Sequence, residues 1–329
     1  MVSRDPLHER GTASGFASPA QPATPEATEK TERPERSRRP GERRSMRRIR
    51  TIAVLPTLFT LANLVCGFFS IVVAARIEAP VVEVSVEGER AAKPVTRLGD
   101  AGDRTNVMIS AWLIFLAMAF DALDGHVARL SRTTSDFGGQ LDSLCDVVTF
   151  GVAPGFLLVK MCPNFTYEYR EVWVIAAAYA ACAALRLARF NVEVTQDDDH
   201  MSFSGLPSPA AAATIASFAL LFYTLHNKAN PPEYVERVDL ALQMILPFYA
   251  LVVALLMVSR IPYPHVVNQV FRGHRSFAHV VWLLFGAVAV LTVPGYAVPL
   301  VCLAFTLAAP LKYAWETVVM RRPHEDSLF

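Results

Sequence analysis

Long uninterrupted runs of apolar residues, rather than alternation of apolar and polar positions, dominate the chain from residue 52 onward. A helix needs about 20 apolar residues to cross a hydrocarbon layer of about 30 Å. Strands that span a membrane alternate apolar and polar residues instead, and only helices and closed barrels satisfy their backbones in lipid. The pattern predicts an all-α, polytopic membrane bundle of about eight helices, at 52–75, 107–128, 140–161, 171–190, 207–226, 240–259, 277–293 and 295–313.

The composition agrees with the membrane class, since 53% of the 329 residues are hydrophobic and 19% are charged. Residues 1–45 differ, because they are rich in Pro, Ala, Thr, Ser, Glu and Arg and hold almost no large apolar side chains. Such a segment cannot bury enough surface to offset the entropy of ordering. We predict a disordered cytoplasmic tail at 1–45, a membrane domain at 46–315 and a short cytoplasmic tail at 316–329.

The charge of the chain is unevenly placed, although its net value of +1 gives no excess that would favour nucleic acid. Residues 36–50 hold eight arginines against one glutamate. Arginine-rich segments stay in the cytoplasm, and an even number of helices returns the C-terminus, with Arg321 and Arg322, to the same side. The distribution predicts an integral membrane protein with both termini cytoplasmic.

Four aspartates interrupt the apolar pattern in "DALDGHVARLSRTTSDFGGQLDSLCD", residues 121–146. Asp121 and Asp124 share one helix face, as do Asp142 and Asp146, and the short connection makes the two helices antiparallel neighbours. An aspartate near the centre of a membrane helix costs roughly 2.5–3.5 kcal/mol, so four need a compensating partner. Divalent cations with oxygen ligands fit that role, whereas the simpler alternative is a set of interfacial charges at helix ends.

The small and polar neighbours of these aspartates favour a phosphate ligand. Gly125 and Ala128 lie on the face of the first pair, and Gly138 lies one turn before Asp142, where small residues permit close approach by a helix or by phosphates. Arg129 and Ser135 add hydrogen-bond donors for phosphate oxygens.

The spacing Asp-x-x-Asp-Gly-x-x-Ala-Arg, eight residues, Gly-x-x-x-Asp-x-x-x-Asp over 121–146 resembles the motif of the CDP-alcohol phosphatidyltransferase family at all eight fixed positions. The resemblance implies a membrane enzyme that holds two divalent ions, Mg²⁺ or Mn²⁺, through Asp121, Asp124, Asp142 and Asp146. It further implies that the ions bind the pyrophosphate of CDP-diacylglycerol and that Asp146 is the general base.

Four further stretches resemble the bacterial (type II) CDP-diacylglycerol–serine O-phosphatidyltransferases of this family. They are 55–71, 146–154, the pair 186–191 and 203–212, and 258–264. The resemblance implies L-serine as the acceptor and phosphatidylserine and CMP as the products. It implies CDP-diacylglycerol contacts at Thr60 and Asn63. Three residues at a predicted cytoplasmic helix end are candidates for binding serine: Arg186, Arg189 and Asn191.

Two alternatives remain at this point. The same chemistry can serve another acceptor, such as choline or glycerol 3-phosphate. A cation transporter can also place aspartates along an ion path inside the membrane. The resemblance places the protein in the bacterial cytoplasmic membrane, in contact with membrane lipid, and leaves a homodimer open.

Deletion of residues 1–45 is expected to leave the specific activity of the purified protein in detergent within a few-fold of the full chain, because the segment lacks core-forming residues. Activity and size-exclusion profiles of the two proteins provide the comparison. Aggregation of the truncated protein would contradict the assignment of this segment as a disordered tail.

Overall fold

A computed structural model of the chain describes residues 40–77, 101–131, 136–163, 165, 170–194, 205–226, 233–263 and 277–318. The helices in these ranges are α1 Pro40–Ala75, α2 Ala101–Ser131, α3 Asp136–Asp146, α4 Ala153–Met161, α5 Glu171–Val194, α6 Ser208–His226, α7 Glu233–Val258, α8 Phe277–Thr292 and α9 Pro294–Val318. A π-helical segment, Val147–Val152, joins α3 directly to α4.

The predicted all-α membrane bundle is confirmed in the described part of the chain. Seven helical segments there are long and apolar enough to cross a membrane, and the protein is an integral membrane protein. The predicted run at 277–293 forms α8, which has 16 residues and is therefore about 24 Å long, less than the roughly 30 Å of a hydrocarbon layer. The predicted tails at 1–45 and 316–329 lie almost wholly outside the described residues.

Four helices begin at least four residues earlier than the apolar pattern predicts: α1 at Pro40, α2 at Ala101, α3 at Asp136 and α7 at Glu233. Helix α2 starts at Ala101 rather than at 107, and its first turn holds Asp103. A carboxylate in that turn interacts favourably with the positive end of the helix dipole, so the helix continues beyond its apolar part. Helix α3 likewise starts at Asp136 rather than at 140, because polar residues extend it beyond the lipid-facing run.

Small residues allow the helices next to the π-helical segment to pack closely. A Cβ atom on Gly155 would lie 3.0 Å from the carbonyl oxygen of Ala176 in α5, and one on Gly151 would lie 3.2 Å from Cβ of Ala183. Helix α6 packs against α2, α7 and α9, and its buried face is rich in alanine. Close helix contact through Gly and Ala is the usual way to gain dispersion energy in lipid, where no hydrophobic force drives helices together.

The connection that precedes α6 is tied to the end of α7. Gly205 donates its backbone N–H to the carbonyl of Ile261 at 2.9 Å, and Leu206 donates to Leu256 at 2.9 Å. Gly205 has a φ of 86°, and a side chain there would lie 2.7 Å from the carbonyl oxygen of Ser259. Only glycine adopts this conformation without strain, so the start of α6 is fixed relative to α7.

Candidate active site

Three carboxylates from two neighbouring helices meet in the bundle. Asp121 of α2 and Asp142 and Asp146 of α3 each contribute one oxygen atom, and these three atoms lie within 4.8 Å of one another. Asp146 is buried, with 7% of its surface exposed, and the other two are half-buried. The two acidic faces meet as the helix spacing predicts.

Asp124 completes the acidic cluster one turn after Asp121. It is 5% exposed and close enough to Asp142 for charge repulsion, and the Thr60 side chain interacts with it. Among the described residues, buried Oδ2 of Asp124 and buried Oδ1 of Asp142 find no hydrogen-bonding partner. Buried carboxylate oxygens are costly unless paired, and oxygen-rich clusters of this kind suit hard divalent cations. The donor set therefore fits a divalent metal.

Asn63 of α1 binds directly to Asp146. The Asn63 side chain is 0% exposed, and its Nδ2 donates a hydrogen bond to Asp146 Oδ1 at 3.0 Å. The backbone carbonyl of Asn63 accepts a hydrogen bond from Thr149 Oγ1 at 3.3 Å. A Cβ on Gly67 would lie 2.9 Å from Cα of Thr149, so α1 touches the π-helical segment closely. These contacts orient the Asp146 carboxylate, whereas the sequence predicts Asn63 as a lipid contact.

The π-helical segment Val147–Val152 begins immediately after Asp146. Thr149, Phe150 and Gly151 in it are buried. Single π turns inside α-helices occur frequently at functional sites. The apolar pattern does not predict this feature, because a π turn leaves no distinct apolar period in so short a stretch.

Arg186 of α5 places a positive charge near the acidic cluster. Its guanidinium interacts electrostatically with Asp146, and its Nη1 donates to Ser208 Oγ at 3.1 Å. Nε of the same guanidinium is buried, with no partner in the described part of the chain. A donor is therefore available beside the acidic cluster.

The other two predicted serine contacts have protein partners. Arg189 Nη1 donates to the carbonyl of Val258 at 3.5 Å, at the C-terminal end of α7. Asn191 Nδ2 donates to Ser143 Oγ at 2.9 Å, next to Asp142. Both side chains bind neighbouring helices, and a contact with serine stays a prediction for each.

The residues predicted to contact the CDP-lipid are described in part. Thr60 Oγ1 donates to the carbonyl of Pro56 at 3.0 Å. A Cβ on Gly125 would meet no described atom within 4 Å, so packing of the described helices does not explain this glycine, which directly follows Asp124. Gly138 is half-buried in α3. The side chains of Ala128, Arg129 and Ser135 lie outside the described residues.

Comparison with known proteins shows the family. Residues 53–258 match the sequence model of the CDP-alcohol phosphatidyltransferases. A CDP-diacylglycerol–serine O-phosphatidyltransferase of Methanocaldococcus jannaschii is 34% identical over 201 residues, which are 61% of this chain and 82% of that protein. Its namesake from Helicobacter pylori strain J99 is 38% identical over 164 residues, 48% of this chain and 61% of the relative. An archaetidylserine synthase of Methanothermobacter thermautotrophicus is 36% identical over 157 residues, 47% of this chain and 57% of the relative.

The family match covers the helices that supply the acidic cluster, Asn63 and Arg186. It extends over more than half of the chain, so it does not rest on the aspartate motif alone. The chain belongs to the CDP-alcohol phosphatidyltransferase family.

Proposed function

We propose that the protein transfers the phosphatidyl group of CDP-diacylglycerol to the hydroxyl of L-serine, giving phosphatidylserine and CMP. One observation supports this chemistry above the others. Asp121, Asp142 and Asp146 each place a carboxylate oxygen within 4.8 Å of the other two, in a member of this family. The choice of serine is supported by the names of the relatives from Methanocaldococcus jannaschii and Helicobacter pylori.

The reaction is a displacement at phosphorus. The serine oxygen forms a bond to the phosphorus of the phosphatidyl group, and the bond between that phosphorus and the bridging pyrophosphate oxygen breaks. CMP leaves with the electron pair of that bond. The hydroxyl proton passes to the general base, for which we propose Asp146 because it is buried in the cluster and oriented by Asn63.

Asp121, Asp124, Asp142 and Asp146 would hold two divalent ions, Mg²⁺ or Mn²⁺. When bound, such ions neutralise charge on the pyrophosphate oxygens and stabilise the leaving group. The protein supplies the rest through its own side chains. Asn63 orients Asp146, and the open space beside Gly125 provides room for the pyrophosphate. Ala128, Arg129, Ser135, Gly138 and Thr60 are further proposed contacts of the CDP-lipid.

Arg186 favours serine over choline as the acceptor. A half-buried guanidinium whose Nε has no partner among the described residues attracts the carboxylate of serine and repels the quaternary ammonium of choline. Glycerol 3-phosphate also carries an anionic group, so it is the stronger of the two alternative acceptors. Nothing in the described bundle favours a transporter, and family membership supports the transferase.

We further propose that the acidic cluster lies at the cytoplasmic side of the bacterial inner membrane, with both termini cytoplasmic, which requires α8 to cross the membrane as an eighth span beside the seven longer ones. The arginine-rich segment at 36–50 supports this orientation. Serine, CDP-diacylglycerol and CMP are then exchanged with the cytoplasm and the inner leaflet.

Purified full-length protein in detergent is expected to release CMP from CDP-diacylglycerol and Mn²⁺ or Mg²⁺ when L-serine is supplied. Choline and glycerol 3-phosphate are expected to give much slower release at equal concentration. The positive charge of Arg186 repels choline. Glycerol 3-phosphate carries a more negative group, and Arg186 is the one basic side chain described beside Asp146 that could bind it. The measurement is CMP formation across the panel of alcohols, with the lipid product identified by mass spectrometry. Faster release with another alcohol would reject serine as the acceptor while leaving the transferase chemistry intact.

A further inference from the structure

We propose that Ser208 is a positioning residue for the acceptor, because it holds the Arg186 guanidinium in the orientation that binds the serine carboxylate beside Asp146. The inference rests on the proposed function and deepens it. It assigns a role to the first residue of α6, which the proposed chemistry does not otherwise use.

The position of Ser208 is fixed by its surroundings. It is the first residue of α6, is 1% exposed, and accepts the hydrogen bond from Arg186 Nη1 at 3.1 Å. The backbone on both sides is anchored, since Leu206 donates to Leu256 at 2.9 Å and Ala211 donates to the carbonyl of Pro207 at 2.9 Å. A hydroxyl held this firmly defines where the flexible arginine ends.

The hydrogen bond selects which edge of the guanidinium remains available. Ser208 occupies Nη1, whereas Nε is buried without a partner among the described residues. Nε and Nη2 lie on one edge of the planar group and can donate two parallel hydrogen bonds to one carboxylate. In serine, three covalent bonds separate the hydroxyl oxygen from the carboxyl carbon. A carboxylate bound by Arg186 therefore keeps the hydroxyl near Asp146, with which Arg186 interacts.

The neighbouring arginine shows the contrast. Arg189, one turn later in α5, donates to the carbonyl of Val258 and so stabilises the end of α7. Arg186 instead donates from Nη1 to the hydroxyl of Ser208. A hydroxyl is neutral, so this hydrogen bond does not cancel the positive charge of the guanidinium. Ser208 therefore orients Arg186 without neutralising it, as a binding site for an anionic acceptor requires.

The test compares serine kinetics of Ser208→Ala with those of the wild-type protein. A lost hydrogen bond to a charged group is expected to raise the KM for serine about tenfold. The KM for CDP-diacylglycerol and kcat at saturating serine are expected to stay within about twofold, since neither depends on the acceptor carboxylate. Ser217→Ala is the matched control, because Ser217 is a buried serine in the same helix whose hydroxyl binds the carbonyl of Thr214 at 2.7 Å.

A second pair of variants keeps the test decisive if Ser208→Ala fails to fold. Ser208→Thr and Ser208→Val have the same shape and differ in the hydroxyl, so Thr is expected to retain the wild-type KM for serine and Val to raise it. In an Arg186→Lys background, Ser208→Ala is expected to raise that KM no further, because the hydroxyl acts through the guanidinium.

An unchanged KM for serine in both Ser208→Ala and Ser208→Val would overturn the positioning role. An equal increase in Ser217→Ala, or full additivity with Arg186→Lys, would overturn it as well. If the wild-type protein releases no CMP with serine but does so with another alcohol, the proposed acceptor fails, and the role of Ser208 fails with it. The two failures are therefore distinguishable.

Discussion

Excess chelator is expected to abolish CMP release, and Asp121→Asn, Asp124→Asn and Asp142→Asn are each expected to lower turnover at least about a hundredfold. Mutation of groups that only support metal ligands commonly costs about 10–100-fold, so loss of a ligand costs at least as much. The structural reason is the clustering of these carboxylates, of which Asp124 and Asp142 each have one buried oxygen without a partner in the described bundle. The measurement is the rate of CMP release in chelator and again after Mn²⁺ or Mg²⁺ has been added back, for the wild-type protein and each variant.

Thermal unfolding separates a lost metal site from a damaged fold. Carboxylates that meet within 4.8 Å repel one another when no cation is bound, so Asp121→Asn is expected to be at least as stable as the wild-type protein in chelator. Added Mn²⁺ is expected to raise the melting temperature of the wild-type protein and to raise that of Asp121→Asn less.

Asp103→Asn provides the matched control. It makes the same chemical change in the same helix α2, eighteen residues and about 27 Å before Asp121, so activity and metal response are expected to stay near wild-type values. Full activity of the wild-type protein in excess chelator would remove the basis for the metal site.

Asp146→Asn is expected to lower kcat by about 10²–10⁴-fold while CDP-diacylglycerol affinity stays nearly normal. If Asp146 accepts the serine proton, an amide cannot replace it. The other three aspartates remain to hold the ions that bind the pyrophosphate. The substitution also preserves the local geometry, because an amide oxygen can still accept the 3.0 Å hydrogen bond from Asn63. Steady-state kinetics together with direct binding of CDP-diacylglycerol provide the measurement.

Asp121→Asn is the comparison for this prediction. Asp121 lies on α2 and takes no part in the hydrogen bond between Asn63 and Asp146, and its loss should weaken CDP-diacylglycerol binding along with turnover. Equal loss of affinity in the two variants would show that Asp146 is chiefly a metal ligand, and its assignment as the base would then be wrong.

The bundle and the acidic cluster could be predicted because both follow from short-range patterns. Apolar runs of membrane length identify helices, and the three- and four-residue spacings place each aspartate pair on one face. The short connection between α2 and α3 then brings Asp121 and Asp142 together without any knowledge of distant contacts. Helix ends were less accurate, since polar first turns such as that of α2 continue a helix without an apolar signal.

The partners of the site residues could not be predicted, because they come from distant parts of the chain. Asn63 and Asp146 are 83 residues apart, and Arg186 and Ser208 are 22 apart. The sequence marked three of these residues as functional, and it used the start of α6 only as part of the family resemblance at 203–212. Only the packed bundle shows that Asn63 binds an aspartate and that Ser208 binds an arginine.

The π-helical segment after Asp146 limits how this part of the protein can evolve. A π turn holds about one residue more than an α turn, so the six residues Val147–Val152 turn the chain about as far as five α-helical residues do. Deleting one residue there would restore an ordinary α-helix with α3 and α4 still facing nearly the same way. The residues inside the segment would shift, however, so Thr149 would lose its contacts with Asn63 and Gly67, and Gly151 would lose its close approach to α5. A second deletion would rotate α4 by about 100° relative to α3, so the length of this segment is constrained first by its own contacts and then by the faces of both helices.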